Sequence, residues 1–334
     1  MIISASRRTD IPTYYSDWFM QRIKEGYVLA RNPMNAHQVS RISLNPEVVD
    51  GIVFWTKNPL SMLEKLPLLK DYMYYFQFTL NGYEQDVEAG VPPKDKFIVP
   101  GFQRLSDMLG PERVIWRYDP ILLNNKYTFN YHVQRFAELA KQLAPYTKQC
   151  TISFLDMYAK TERNMQGLAV QPWSLEQMDA MAKALAEIAH SYGLELATCA
   201  EGIELDKYGI KHAHCIDGGL FEKLLGCPMK VGKDKNQRQE CSCVASVDIG
   251  AYNTCRNGCR YCYANFNNAM VQKNRQQHHS GSALLLGEVG EEDRITERKM
   301  QSCLERQQGL FAYPPVFLRK TVICVTILSE FKKL

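Results

Sequence analysis

The chain has 334 residues, 46% apolar and 23% charged, with a net charge of +4. That length suits one large βα-barrel domain or two average ones, no stretch approaches the roughly 18 consecutive apolar residues of a membrane span, and the charge falls short of a dedicated nucleic-acid binder. The opening Met-Ile-Ile-Ser-Ala-Ser-Arg-Arg meets charge too early for a secretory signal, so the 11 cysteines point to a reducing, cytoplasmic setting where they serve metals or catalysis.

In chain order, residues 2–6 read as a strand. Residues 14–25 read as a helix with Trp18, Phe19 and Ile23 at helical spacing and Gly26 as its stop. Residues 27–44, with Asn32-Pro33 and Asn35 in the middle, look like an inserted hairpin. Strands are expected at 52–56, 74–79 and 114–117, then a helix at 131–143, a strand at 150–154, and a helix at 175–190 opened by the capping-box pair Ser174 and Gln177. Further strands are expected at 195–199 and 246–250. Residues 282–288 and a helix at 291–306 are expected to cover the mouth of the fold, and residues 313–334 fit no pattern. Strands alternating with helices indicate an α/β protein with a mainly parallel sheet. We expect a (βα) barrel over residues 1–268 and a partly helical extension over 269–334.

Nearly every strand runs into polar residues. The first meets Arg8 and Asp10, the 52–56 strand meets Lys57, the next carries Gln77, the 114–117 strand ends at Arg117 and Asp119, and the 195–199 strand is followed by Glu201. In a parallel barrel these ends converge on one mouth that holds the chemistry. Strands that simply end at polar surface are the plainer alternative.

The sharpest signal is Cys255-Arg-Asn-Gly-Cys259-Arg-Tyr-Cys262. Three thiolates on a loop bent at Gly258 can close around one face of a 4Fe-4S cubane, leaving one iron open for the amino and carboxylate groups of S-adenosylmethionine. Reductive cleavage of that cofactor would give a 5′-deoxyadenosyl radical. A structural zinc knuckle completed by Cys241 or Cys243 is the competing reading. Cys199, Cys215, Cys241 and Cys243 suggest a second site, an auxiliary iron–sulfur cluster or a zinc, against the alternative of four separate buried thiols. His212 and His214 are close enough in sequence to be substitute ligands. Cys150, Cys227, Cys303 and Cys324 read as packing or surface thiols.

Cys-x-x-x-Cys-x-aromatic-Cys, with Tyr261 as the aromatic, resembles the signature of the radical S-adenosylmethionine superfamily. More of the chain resembles the bacterial domain-of-unknown-function family 1848. The likeness runs from Ser-Ala-Ser-Arg-Arg-Thr-Asp-Ile-Pro (4–12) through Phe-Trp-Thr-Lys-Asn-Pro (54–59), Trp-Arg-Tyr-Asp-Pro (116–120) and Lys-Asp-Lys-Asn-Gln-Arg (233–238) to Tyr-Cys-Tyr-Ala-Asn (261–265). The superfamily carries its cysteine loop after the first barrel strand, whereas here the loop is near the C-terminus. A circular permutation would reconcile the two, with 246–250 as the displaced first strand beside 2–6. The order of short motifs, ending in Gly-Val-Pro-Pro (90–93), is also similar to the spore-photoproduct-lyase branch.

These readings make the chain a radical S-adenosylmethionine enzyme. Arg8, Asp10, Lys57 and Asp119 are expected as catalytic groups, and Gln77, Arg117, Glu201 and Tyr261 as cofactor contacts. An electron donor such as flavodoxin or ferredoxin is implied, with nucleic acid among the conceivable substrates and no membrane partner. The alternatives are a zinc-binding nucleic-acid interaction protein, prompted by the basic excess after residue 200, and an iron–sulfur electron carrier.

Overall fold

The computed structural model describes residues 1–157 and 159–305, and one compact unit runs Met1–Leu304, past the boundary expected at 268. Residues 313–334, with Cys324, lie outside the described residues.

The chain opens with β1 (Ile2–Ala5), α1 (Ile11–Tyr14) and α2 (Ser16–Glu25). The single helix expected at 14–25 is therefore broken at Tyr15, which leaves helical geometry and sends its hydroxyl to the Thr254 carbonyl. Pro12 and the Asp10 cap start α1 one turn earlier than the apolar spacing suggests. The inserted hairpin is present as β2 (Tyr27–Asn32) and β3 (Asn35–Ser43). Next come β4 (Gly51–Thr56), α3 (Leu60–Leu63), β5 (Tyr74–Thr79), α4 (Val99–Leu109) and β6 (Val114–Ile121). They are followed by α5 (Phe129–Leu143), β7 (Gln149–Phe154), α6 (Ala159–Asn164) and α7 (Leu175–Ser191), the last with both halves of the capping box formed by Ser174 and Gln177. The described chain closes with β8 (Glu195–Thr198), β9 (Lys211–His212), α8 (Gly218–Leu225), β10 (Ser246–Asp248), α9 (Asn268–Gln276) and β11 (Arg294–Glu297).

Eight of these strands form one parallel sheet in the order β10-β1-β4-β5-β6-β7-β8-β9. The strands read from sequence at 2–6, 52–56, 74–79, 114–117 and 150–154 are neighbours in that order, and the 246–250 strand lies beside the first. Aromatic and β-branched runs such as Tyr-Tyr-Phe-Gln-Phe-Thr in β5 suit strands buried on both faces.

Alternation along each strand splits the core. Phe54, Phe76, Trp116 and Ile152 face outward, against Phe19, Phe102, Phe136 and Leu185 of α2, α4, α5 and α7. Ile2, Val53, Tyr75 and Ile115 face the other way and meet Phe221 of α8. Towards their C-terminal ends the same inner positions turn polar, as Trp55, Gln77, Arg117 and Ser153.

The region after 268 departs from expectation. Ser282 accepts from the Trp18 indole, Leu284 packs on Leu29 and Val39, and Leu285 joins the outer core, so this segment covers α2 and the hairpin rather than the mouth. A strand, β11, stands where the helix at 291–306 was expected, paired in parallel with β3. The free edge of β3 supplies backbone partners that a short, highly charged helix would lack.

Candidate functional site

The cysteine loop starts at Cys255, seven residues after β10 ends at Asp248, and residues from three strand ends hold it. Thr9 bonds to Thr254, and Tyr14 donates to the Asn257 side chain at 2.7 Å. Asp10 is buried and fully engaged: Oδ1 accepts from the Thr13 amide, and Oδ2 accepts from the Lys57 amide and the Asn257 side chain, both at 2.9 Å. Burial pushes the Asp10 carboxyl above its usual range despite these donors. Asp10, expected as a catalytic group, ties β1, β4 and the loop together.

On the other side, residues 84–91 run antiparallel to the loop. Gly90 donates to the Asn257 carbonyl, the Arg260 amide donates to Val87, and Glu88 pairs with Cys259. A side chain at Gly90 would collide with the Arg256 carbonyl, which explains why the smallest residue stands there. Gly258 takes the left-handed conformation at the bend, φ +63°.

Glu88 is the hub of this wall. Its carboxylate receives Lys57 at 2.8 Å, Lys94 at 2.6 Å and the Tyr261 hydroxyl. Burial alone would raise its pKa, but the two ammonium groups draw it down to about 2. Lys57, desolvated but facing Glu88 and Cys259, stays protonated with its pKa raised. Tyr261 lies 5.4 Å from the Lys57 ammonium, ring to charge.

The strand ends surround a cavity of about 760 Å³. Arg8, Asp10, Lys57, Arg117, Asp119 and Tyr261 line it, as do all seven cysteines named for the two sites. Arg8 is held by Asp248 at 2.9 Å and stacks over Tyr252. Arg117 is buried and paired with Asp119, which also accepts from Ser153, and the Arg117 charge holds the Asp119 carboxyl below its usual range against the opposing effect of burial. Two expected cofactor contacts are not among the lining residues. Gln77 donates to the Cys215 carbonyl and accepts from Arg117 at 3.3 Å, beneath the cavity floor. Glu201 accepts from the Phe154 amide, and burial pushes its pKa up to about 7. Each acts through a neighbour instead.

The other four thiols gather at a second place on the wall. Cys199 and Cys215 sulfurs lie 3.1 Å apart, Cys241 and Cys243 pack in the same buried cluster as Cys215, and Arg117 donates to Cys215 at 2.9 Å. The contact with Cys215 draws the Cys199 thiol down to about 7. His212 pairs with Glu204 and His214 with the Ser242 carbonyl, so neither completes the set. Cys150 packs in the outer core, and Cys227 and Cys303 are half-buried. Among the described residues, no three or more His, Cys, Asp or Glu side chains stand ready to hold one metal ion as they are. None of the helices among them is long and apolar enough to cross a membrane.

Sequence reasoning passed over Glu88, Arg7, Trp55, Asp248 and Asn257. Arg7, Trp55 and Asp248 stood in or beside expected strands without a sign of their partners, and Glu88 and Asn257 act through residues far along the chain.

Fold and site together define a parallel α/β protein whose strand ends converge on a cysteine-lined cavity. The chain belongs to the DUF1848 family: the model described as "Domain of unknown function (DUF1848)" matches residues 2–264. No curated protein matches the chain. A solved structure described as a "putative alpha-L-fucosidase" from Bacteroides thetaiotaomicron VPI-5482 is similar over 54% of this chain and 84% of its own length, at 10% identity and a TM-score of 0.26. A likeness that slight carries no argument here.

Proposed function

We propose that this chain is a radical S-adenosylmethionine enzyme on a circularly permuted parallel βα barrel, with a four-iron cluster held by Cys255, Cys259 and Cys262. The observation that carries the reading is where the cysteine loop lies. With β10 counted first, the sheet continues through β1, β4, β5, β6, β7, β8 and β9 in unbroken chain order. The loop then follows that first strand at the C-terminal mouth, where barrels keep their chemistry. A cubane sets its thiolates on different irons, so three cysteines spread along a loop suit it, and a three-ligand set leaves one iron open. Bound there, the cluster would supply the electron that cleaves S-adenosylmethionine to a 5′-deoxyadenosyl radical.

The side chains have separable tasks. Asp10, Asn257 and Tyr14 fix the loop. Lys57 sets positive charge against Cys259 and Cys262, and Glu88 and Tyr261 hold it there. Arg8 and Arg117 are pre-oriented by Asp248 and Asp119 and offer guanidinium groups to the carboxylate of S-adenosylmethionine or to an anionic substrate. Asp119 Oδ1, shared with the Ser153 hydroxyl, is placed to accept a ribose hydroxyl. Gln77 and Glu201 support Arg117 and β7 rather than the cofactor. The cavity walls keep water from a reactive intermediate. An electron donor such as a flavodoxin or ferredoxin follows from this chemistry, in a reducing cytoplasmic setting.

Iron and acid-labile sulfide analysis of anaerobically purified protein tests the cluster. We expect brown protein with about four irons and four sulfides per chain, lost on joint replacement of Cys255, Cys259 and Cys262 by alanine. Protein that stays colourless after reconstitution with iron and sulfide would rule the cluster out.

A further inference from the structure

We propose that Cys199, Cys215, Cys241 and Cys243 bind a single zinc ion as a closed tetrathiolate site that clasps the two free edges of the eight-stranded sheet. This rests on sulfur geometry and topology, and it stands whether or not the loop at 255–262 holds a cluster.

The spacing of the thiols separates one ion from a cluster. Four sulfurs at about 2.3 Å from one tetrahedral ion lie about 3.8 Å from each other, within contact. In a cubane each cysteine binds a different iron, and the ligand sulfurs stand much farther apart. Here the Cys199 and Cys215 sulfurs lie 3.1 Å apart, the amide of Ile216 beside Cys215 donates to the Cys243 sulfur, and Cys215, Cys241 and Cys243 share one buried cluster with Cys199 packed against it. As they stand the four do not enclose one point, so binding the ion requires their side chains to turn inward.

The surroundings match the charge of such a site. Four thiolates around a divalent ion carry two negative charges, and two guanidinium groups meet them. Arg117 donates to Cys215 as well as pairing with Asp119, and Arg7, 3.7 Å from Asp234 through Nη1, keeps a buried Nη2 that lacks a hydrogen-bond partner. The Ile216 amide also donates to the Cys243 sulfur at 3.3 Å, the kind of contact that orients a ligand thiolate. Thiolate-only tetrahedral coordination favours zinc, which binds such ligands more tightly than ferrous iron.

Topology gives the site its task. β9 and β10 end the sheet, and neither has a strand partner on its outer side among the described residues. Cys199 and Cys215 flank β9, while Cys241 and Cys243 precede β10. Across these edges the Val244 amide donates to the Ile216 carbonyl, while on the β10 side the Asp234 amide donates to the Cys243 carbonyl and residues 233 and 244 form an isolated bridge. A metal held by both groups would close the ring of strands where no continuous β pairing does.

Zinc content decides the matter. We expect a single zinc ion per chain in the wild type and in the Cys255→Ser/Cys259→Ser/Cys262→Ser variant, and its loss in Cys215→Ser/Cys243→Ser. If that last variant fails to fold, cobalt(II) exchange into the wild type gives a second readout, the visible bands of a tetrahedral thiolate site. Absence of those bands, zinc retained without Cys215 and Cys243, or acid-labile sulfide persisting in the loop variant each overturn the proposal. Loss of iron in the loop variant with zinc retained leaves the two sites distinguishable.

Discussion

Glu88 shows how a single side chain decides the state of the wall beside the cysteine loop. It is 1% exposed and answers to two lysines and a tyrosine. Removing one member of a buried ion pair leaves uncompensated charge and costs roughly 3–5 kcal/mol. Glu88→Ala leaves Lys57 and Lys94 facing each other, and we expect it to lower the unfolding free energy by about that amount in denaturant titration. Tyr261→Phe gives up the bond to the same carboxylate and one accepted from Asn81, with both lysines still paired, and should cost about 2 kcal/mol. Equal effects from the two substitutions would contradict the role given to Glu88. The difference between these residues also explains what a reader of the sequence can see. Cys255, Cys259 and Cys262 announce themselves because their chemistry lies in local spacing. Glu88, Asn257 and Arg7 take their meaning largely from Lys57, Asp10 and Asp234, which lie 31, 247 and 227 positions away, and their spacing does not reveal those partners.

At the scale of elements, α5 is tied to β6 through His132, which is fully buried, bonded through Nδ1 to the Tyr118 hydroxyl and through Nε2 to the Leu122 carbonyl, both at 2.8 Å. Burial lowers its pKa to about 4. The unfolded chain therefore takes up a proton that the folded chain refuses between about pH 6.5 and pH 4. The stability this neutral ring contributes is complete above pH 6.5 and falls as the pH drops through that window, by on the order of 3 kcal/mol. A His132→Asn variant should lose less stability than the wild type between pH 7 and pH 4.5 in thermal melts, and identical slopes would show that His132 is not the group responsible. Elements were legible where one force dominates. The central strands are continuous apolar runs, and α7 carries its capping box, so both stand where the sequence puts them. β11 was read as a helix because its charged, exposed residues have no periodicity of their own and adopt whatever β3 offers. Tyr15 breaks the first helix for a bond to Thr254, a partner 239 residues away.

At the scale of the molecule, the strand order carries the functional argument. A sheet running β10, β1, β4, β5, β6, β7, β8, β9 brings the C-terminal strand and the N-terminal strand side by side, and with them the cysteine loop and the Arg7-Arg8-Thr9-Asp10 run. The juxtaposition was readable because the strand-end polar clusters point to a shared mouth. The four-thiol gathering between β9 and β10 was readable only as a suspicion, since sequence order does not say which sulfurs touch. The most direct test of the account is to incubate the reconstituted, dithionite-reduced protein anaerobically with S-adenosylmethionine and to measure 5′-deoxyadenosine and methionine by mass spectrometry. The account predicts that both form with the wild type and that neither exceeds background when Cys255, Cys259 or Cys262 is replaced by alanine. Formation at the wild-type rate in any one of those variants, or no 5′-deoxyadenosine from protein carrying its full complement of iron and sulfide, would contradict it.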